Sequence, residues 1–279
     1  MTAESGVGAS HRAAVLGSPV AHSLSPALHA AAYDELGLTG WSYGRAEVRA
    51  DGLAAFVDGL DGSWRGLSLT MPLKVAVLEL DGVEVSDVAR LARAGNTLLL
   101  DGTRRRVENT DVPGLVWALG RALPDGAGSA TVLGSGATAR SALVALARLG
   151  VQQVQVLARD PEKARALQPL TETLGLDLYV MPWHVAPPDV DVLISTVTAG
   201  ALDDWADAVA DSAEVVLDVV YDPWPTALAA AAGRASALVL DGLHLLVGQA
   251  VEQVELMTGR RPSPEVLRAA GEAALAAHA

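Results

Sequence analysis

The sequence has 279 residues and no cysteine, which removes disulfides, thiolate nucleophiles, iron–sulfur clusters and Cys-type zinc sites at once. Aromatic residues are scarce at 4 %, with a single phenylalanine, so the core has to be built from Ala, Val and Leu. Basic side chains are outnumbered: 20 Lys and Arg against 33 Asp and Glu leave a formal charge of −13. Such a chain repels phosphates at long range, which argues against nucleic acid as a partner. Its one basic run, Arg104-Arg105-Arg106, follows Asp101-Gly102 and reads as a solvated hairpin arm. No stretch reaches the roughly 18 consecutive apolar residues that span a bilayer. The N-terminus carries no basic flank ahead of a long apolar run of the secretory kind. The expectation is a cytoplasmic protein with no membrane partner and no metal.

What is present is a globular α/β pattern. Apolar residues make up 51 % of the chain and charged ones 19 %, too apolar a balance for disorder, at a length that suits two domains or one large one. Ala13 to Leu16 is a strand-like run, and Ser25-Pro26 reads as a helix start with Ser25 as N-cap. Trp41 to Val48 and Gly66 to Thr70 read as further strands, Asp51 as the cap of a second helix, and Pro72 as the opening of another. Asn96 to Leu100, Asp101-Gly102 and Thr103 to Val107 predict a hairpin turning on the Asp-Gly pair. Pro124 to Ser129 is made of turn formers and reads as a linker. Beyond it, the runs at 130–133, 154–157, 190–194, 215–219 and 237–240 alternate with helical patterns, which predicts a parallel sheet. After Asp241-Gly242 the chain is helical to its end, with Ser263 capping the last helix.

The strand at 130–133 runs directly into Gly134-Ser135-Gly136-Ala137-Thr138-Ala139. Glycines there allow a tight turn, let backbone approach a pyrophosphate and aim helix N–H groups at its charge; Ala139 fills the third place. Alone, the motif is an ordinary strand–turn–helix. Placed between two strands at this spacing it reads as a dinucleotide loop. The second strand ends Leu157-Ala158-Arg159-Asp160. Asp160, ahead of Pro161-Glu162, is accounted for as a helix N-cap. Arg159 has no such role, and Lys163 lies one turn on, so NADP is favoured over NAD.

Four polar segments lie outside that loop. The first is Gly17-Ser18-Pro19-Val20-Ala21-His22-Ser23-Leu24-Ser25-Pro26-Ala27-Leu28-His29, where the hydroxyls of Ser23 and Ser25 stand at a helix N-terminus suited to a small carboxylate. The bland alternative is that Ser25 merely caps the helix and His22 is a loop residue. The second, Ser68-Leu69-Thr70-Met71-Pro72-Leu73-Lys74, sets a lysine one turn beyond a strand end, a surface residue unless its site is dry. The others are Ala94-Gly95-Asn96-Thr97 and Glu108-Asn109-Thr110-Asp111, where Asp111 is either a helix cap or a carboxylate at a site.

In this order, with Asp241-Gly242-Leu243-His244-Leu245-Leu246-Val247-Gly248-Gln249 near the end, the segments resemble the signatures of the shikimate dehydrogenase family. The resemblance runs from about Ala13 to the last helix. It implies an N-terminal α/β substrate domain (1–111 plus 244–279) and a Rossmann-like NADP domain (112–243), with C-terminal helices packing back on the first. It implies NADPH-dependent reduction of 3-dehydroshikimate to shikimate, in the biosynthesis of chorismate and aromatic amino acids. Ser23, Ser25 and Tyr221 would hold the substrate carboxylate, and Thr70, Asn96, Asp111 and Gln249 the ring hydroxyls. Lys74 and Asp111 would handle the proton: hydride arriving at a carbonyl leaves an alkoxide that an ammonium stabilises and protonates. Gly134, Ser135, Gly136, Ala137, Arg159, Lys163, Thr196, Val197, Val219 and Gly242 would line the cofactor. The sequence departs from the family pattern at Ser68, where Asn is common, and at Ala137, Ala158 and Asp160. A quinate/shikimate dehydrogenase with NAD preference remains open, as does a non-catalytic sensor of NADP and a shikimate-like ligand. The working form is expected to be a monomer or homodimer.

Overall fold

The structure, a computed structural model, describes residues 10–278; most of the N-terminal segment read for a secretory leader lies outside the described residues. The chain forms two compact units. Within the described residues the first runs to Arg90 and adds Gly95–Thr110 and the chain from Ala250; the second comprises Leu91–Ala94 and Asp111–Gln249.

The first unit opens with β1 (His11–Gly17), α1 (Ser25–Glu35), β2 (Trp41–Glu47), α2 (Leu53–Asp58), β3 (Trp64–Leu69) and α3 (Leu73–Ala76). It continues through β4 (Val83–Val85), α4 (Asp87–Ala92), β5 (Thr97–Asp101) and β6 (Arg104–Glu108). The sheet order is β2-β1-β3-β5-β6-β4. β1 runs parallel to β2 and β3, whereas β5 is antiparallel to β3 and β6. Leu16, Leu67, Leu69, Leu98 and Val107 of the sheet bury with Leu53, Val57 and Leu73 of the helices, an aliphatic core of the kind the scarcity of aromatics demands.

Three local expectations shift. The hairpin pairs Asp101 with Arg104, so its two-residue loop is Gly102-Thr103 and only Gly102 takes positive φ, at 58°. The N-cap of α2 is Gly52, because residues 50–52 form a 3-10 turn that lifts Asp51 out of the capping position. The N-cap of α1 is Leu24, and Ser25 is already helical.

The second unit begins with α5 (Asp111–Ala122), β7 (Ser129–Leu133), α6 (Ala137–Arg148), β8 (Gln153–Leu157), α7 (Pro161–Arg165), α8 (Gln168–Leu174) and β9 (Asp177–Met181). It goes on through β10 (Val190–Ser195), α9 (Ala206–Ala210), β11 (Ala213–Asp218), α10 (Ala227–Arg234), β12 (Leu238–Leu240) and the start of α11 (Gly242–Thr258). All six strands are parallel, in the order β12-β11-β10-β7-β8-β9. That is the doubly wound order with its switch point at β7/β10, where ligands meet the carboxyl ends of strands. The segment 124–129, read as a linker, is instead the α5–β7 connection inside this unit. The Asp191 carboxylate accepts from the amides of Gly128 (2.7 Å) and Ser129 (2.9 Å) and fixes it.

The chain closes with α12 (Pro264–His278), which packs on α1 in the first unit. Ser263 caps it as expected, its hydroxyl accepting from Val266 N at 3.4 Å. Among the described residues no helix is long and apolar enough to cross a membrane, and none of their His, Asp and Glu side chains cluster as a metal site.

Candidate functional site

In the first unit, backbone hydrogen bonds gather the polar loops at the carboxyl ends of β1 and β3. Thr70 N donates to Leu16 O (2.9 Å) and Ser18 N to Met71 O (2.9 Å), locking the loop after β3 to the loop after β1. The approach is close enough that a Cβ on Gly17 would lie 2.3 Å from the Thr70 methyl, which explains glycine there. Leu69 N donates to Asn96 O (2.7 Å), and Gly95 N to Lys74 O (2.7 Å). Thr70, Lys74 and Asn96 are therefore held at one sheet edge. Lys74 lies on the single turn α3 and is half-buried.

Because Leu24 is the N-cap of α1 and makes no side-chain cap bond, the Ser25 hydroxyl is not a cap. The Ser23 hydroxyl instead accepts from Ser25 N at 3.3 Å. Its own hydrogen stays available to an acceptor. Ser25 is buried, while His22 is exposed in the loop. His29, one turn along α1 and fully buried, donates from Nδ1 to Ser25 O at 2.9 Å. Burial holds its imidazole down to about 4, so it is neutral under ordinary conditions. The Asn96 side chain is fixed as well: its Oδ1 accepts from Thr110 N (2.7 Å) and from the Thr110 and Thr97 hydroxyls.

In the second unit, Gly134 adopts φ 108°, and a Cβ there would sit 2.5 Å from Thr196 Oγ1. Thr196 in turn donates from its hydroxyl to Leu133 O (2.7 Å), so the turn after β7 and the turn after β10 are one assembly. Gly136 is the N-cap of α6 and supplies no side-chain cap to that helix start. The cap assigned to Asp160 is present: its carboxylate accepts from Glu162 N (3.0 Å) and Lys163 N (3.4 Å). Lys163 also approaches that carboxylate, at 3.8 Å. Arg159 is exposed and makes no hydrogen bond or ion pair among the described residues. A free guanidinium beside an occupied carboxylate is the donor set of a phosphate site more than of a bare ribose.

The same edge continues to β11 and α11. Val219 N donates to Ser195 O (3.0 Å), and Gly242 N to Val220 O (3.0 Å). A Cβ on Gly242 would fall 2.1 Å from Val219 O, so only glycine lets α11 start there. Val197 stands within 3.4 Å of the position a Gly134 Cβ would take. The loop with Tyr221 is tied down by Asp218, which accepts from Thr226 Oγ1 (2.7 Å) and Val220 N (3.2 Å); burial pushes its carboxyl upward in pKa. Asp111, 1 % exposed, opens α5, and Gln249 lies on α11. The two helices cross in backbone contact: a Cβ on Gly114 would meet Gln249 N at 2.7 Å, and one on Gly248 would meet Gly114 O at 2.8 Å.

Comparison with known proteins falls on this arrangement. Residues 15–98 match the family model described as the shikimate dehydrogenase substrate binding domain, and 242–270 match that of the shikimate 5'-dehydrogenase C-terminal domain. Over 271 residues the chain is 35 % identical to a shikimate dehydrogenase (NADP(+)) of Methanothermobacter thermautotrophicus, covering 93 % of this chain and 95 % of that protein. The chain belongs to the shikimate dehydrogenase family. Among solved structures, the shikimate dehydrogenase of Mycobacterium tuberculosis superposes with a TM-score of 0.87 at 42 % identity, covering 94 % of this chain and 99 % of that one. The shikimate 5-dehydrogenase of Thermus thermophilus, solved in complex with NADP(H) and shikimate, gives a TM-score of 0.83 at 33 % identity and covers 95 % and 99 %.

Sequence reasoning missed Tyr43, Asp218 and Gln253, all engaged in hydrogen bonds at these edges, and placed Thr97 in a polar segment without a role of its own. Gln253 alone left a signal, one helical turn after Gln249 on the same face of α11.

Proposed function

We propose that the protein is an NADP-dependent shikimate dehydrogenase that reduces 3-dehydroshikimate to shikimate. The observation that carries the reading is the gathering of the serine loop, Thr70, Lys74 and Asn96 at one edge by backbone hydrogen bonds, in a chain of this family. The residues present also fit the cofactor. Gly134 leaves no room for a side chain, the start of α6 has no side-chain cap, and Arg159 is unengaged. Gly134, Ser135, Gly136 and Ala137 would hold the pyrophosphate, Arg159 and Lys163 the 2′-phosphate, and Thr196, Val197, Val219 and Gly242 the nicotinamide side.

When bound, NADPH supplies a hydride to the ring carbonyl carbon. The chain's residues do the rest. Ser23 donates its hydroxyl hydrogen to the substrate carboxylate, with Ser25 and Tyr221 assigned to the same group. Thr70, Asn96 and Gln249 hydrogen-bond ring hydroxyls, and Asn96 does so through Nδ2 because its Oδ1 is occupied. The Lys74 ammonium stabilises the developing alkoxide and gives it a proton, a role worth roughly 10²–10⁴-fold in rate for a positioned acid. Asp111 shares the proton handling. We assign the substrate to 1–111 plus 244–279 and NADP to 112–243. We place the reaction in the cytoplasm, carried out by a monomer or homodimer.

Incubation of the purified protein with 3-dehydroshikimate and NADPH tests the reading, with the product identified by NMR. Shikimate formed in step with NADPH loss supports it. Ligand binding without turnover would instead make the protein a sensor.

A further inference from the structure

Beneath the gathered loops of the first unit runs a buried chain of polar side chains whose hydrogen-bond direction can be read from one end. Asn96 O is a backbone carbonyl and can only accept, so Nε2 of Gln253 is the end that faces it, at 3.3 Å, and also reaches Thr97 Oγ1 at 3.0 Å. Gln253 Oε1 therefore faces Ser68, and the Ser68 hydroxyl must donate to it, at 2.8 Å. With that hydrogen placed, Ser68 Oγ can only accept from its other neighbour, and the Tyr43 phenol donates to it at 2.6 Å. Tyr43 is held from behind by His29, whose ring stacks on it at 3.7 Å with planes 18° apart.

We propose that Tyr43 is a positioning residue of the substrate site: its phenol fixes Ser68 Oγ from one side while Gln253 takes the Ser68 hydrogen, so that Ser68 can only accept from a further partner. Ser68 lies two residues before Thr70, on the same face of the strand end. A substrate oxygen meeting it must bring its own hydrogen, so this position reads a ring hydroxyl and refuses a keto oxygen. Asn, common at this place in the family, carries both a donor and an acceptor and has no such polarity. The inference rests on shikimate being the ligand of this unit.

The test is calorimetric titration of shikimate into the full-length protein, with kcat and both KM values measured alongside. Tyr43→Phe keeps the ring and its stacking on His29 while removing the donor. It is expected to raise the shikimate Kd and KM about 5- to 20-fold, to leave kcat within about 2-fold, and to leave KM for NADP unchanged. Ser68→Ala should weaken shikimate to a similar degree, and the double variant should be no weaker than either single one, because both remove the same contact. An unchanged Kd in Tyr43→Phe, or fully additive losses, overturns the role of Tyr43. Should Tyr43→Phe fail to fold, the Tyr43 ring resonances of the wild-type protein decide: a shift on adding shikimate that Ser68→Ala abolishes supports the proposal, and no shift overturns it. A wild-type protein that binds no shikimate overturns the underlying function instead, so the two failures are told apart.

Discussion

On the proposed function, Lys74 and Arg159 carry the most separable roles. Lys74→Ala should lower kcat by about a thousandfold while KM for NADP stays near the wild-type value; a variant with near-normal turnover would take Lys74 out of the chemistry. Arg159→Ala should raise KM for NADP by roughly 10- to 100-fold, the loss expected of one or two charge-assisted hydrogen bonds, and leave whatever rate NAD supports unchanged. Equal losses with both cofactors would mean that Arg159 does not touch the 2′-phosphate. His29 makes a prediction about pH. Its folded pKa, lowered from 6.5 to about 4 by burial, lies below that of the unfolded chain, which takes up the proton first. The stability of the neutral ring is thus complete above about pH 6.5 and is lost as pH falls toward 4. The loss is on the order of 3 kcal/mol. Urea unfolding of His29→Phe between these limits should show a flatter decline than wild type. Asp218, whose raised pKa acts in the opposite direction, is present in both proteins and cancels. Parallel declines would remove His29 as the cause.

At the scale of elements, the crossing of α5 and α11 is the most sensitive feature. Gly114 and Gly248 meet backbone to backbone, one turn from Asp111 and next to Gln249. Gly114→Ala forces a methyl to within 2.7 Å of Gln249 N, and no flexible side chain is there to yield. Overpacking of this kind costs about 1–3 kcal/mol. A drop in thermal stability together with a raised KM for shikimate is the expected outcome; a stable variant with an unchanged KM would show that the helix crossing does not set Gln249.

Elements also differ in how legible they were. The strands β7, β8, β10 and β11 are short, apolar and bounded by turn formers, as strands of a covered parallel sheet must be, and all four could be read directly. By contrast, β4 has three residues and no fully buried one, and β9 is an edge strand with no fully buried residue. Neither carries enough apolar signal. At α1, Ser before Pro favours a capping reading at Ser25, whereas the Ser23–Ser25 turn starts the helix one residue earlier.

For the whole molecule, the glycine loop, the serine segment and the Asn-Thr-Asp segment are each contiguous in the chain, so the family could be recognised from the sequence alone. The network behind the site could not. Tyr43 and Ser68 are 25 residues apart, and Ser68 and Gln253 are 185 apart, so only the folded sheet and the returning α11 bring them together. On the proposed function, a net charge of −13 requires that two anionic ligands be drawn in locally, a task assigned to Lys74, Arg159 and the start of α6. The measurement that bears most directly on this account is the initial rate of oxidation of shikimate and of quinate by purified protein, each with NADP and with NAD. Rapid turnover confined to shikimate with NADP is the predicted result; equal or faster turnover with quinate or with NAD, or none with any pair, would contradict it.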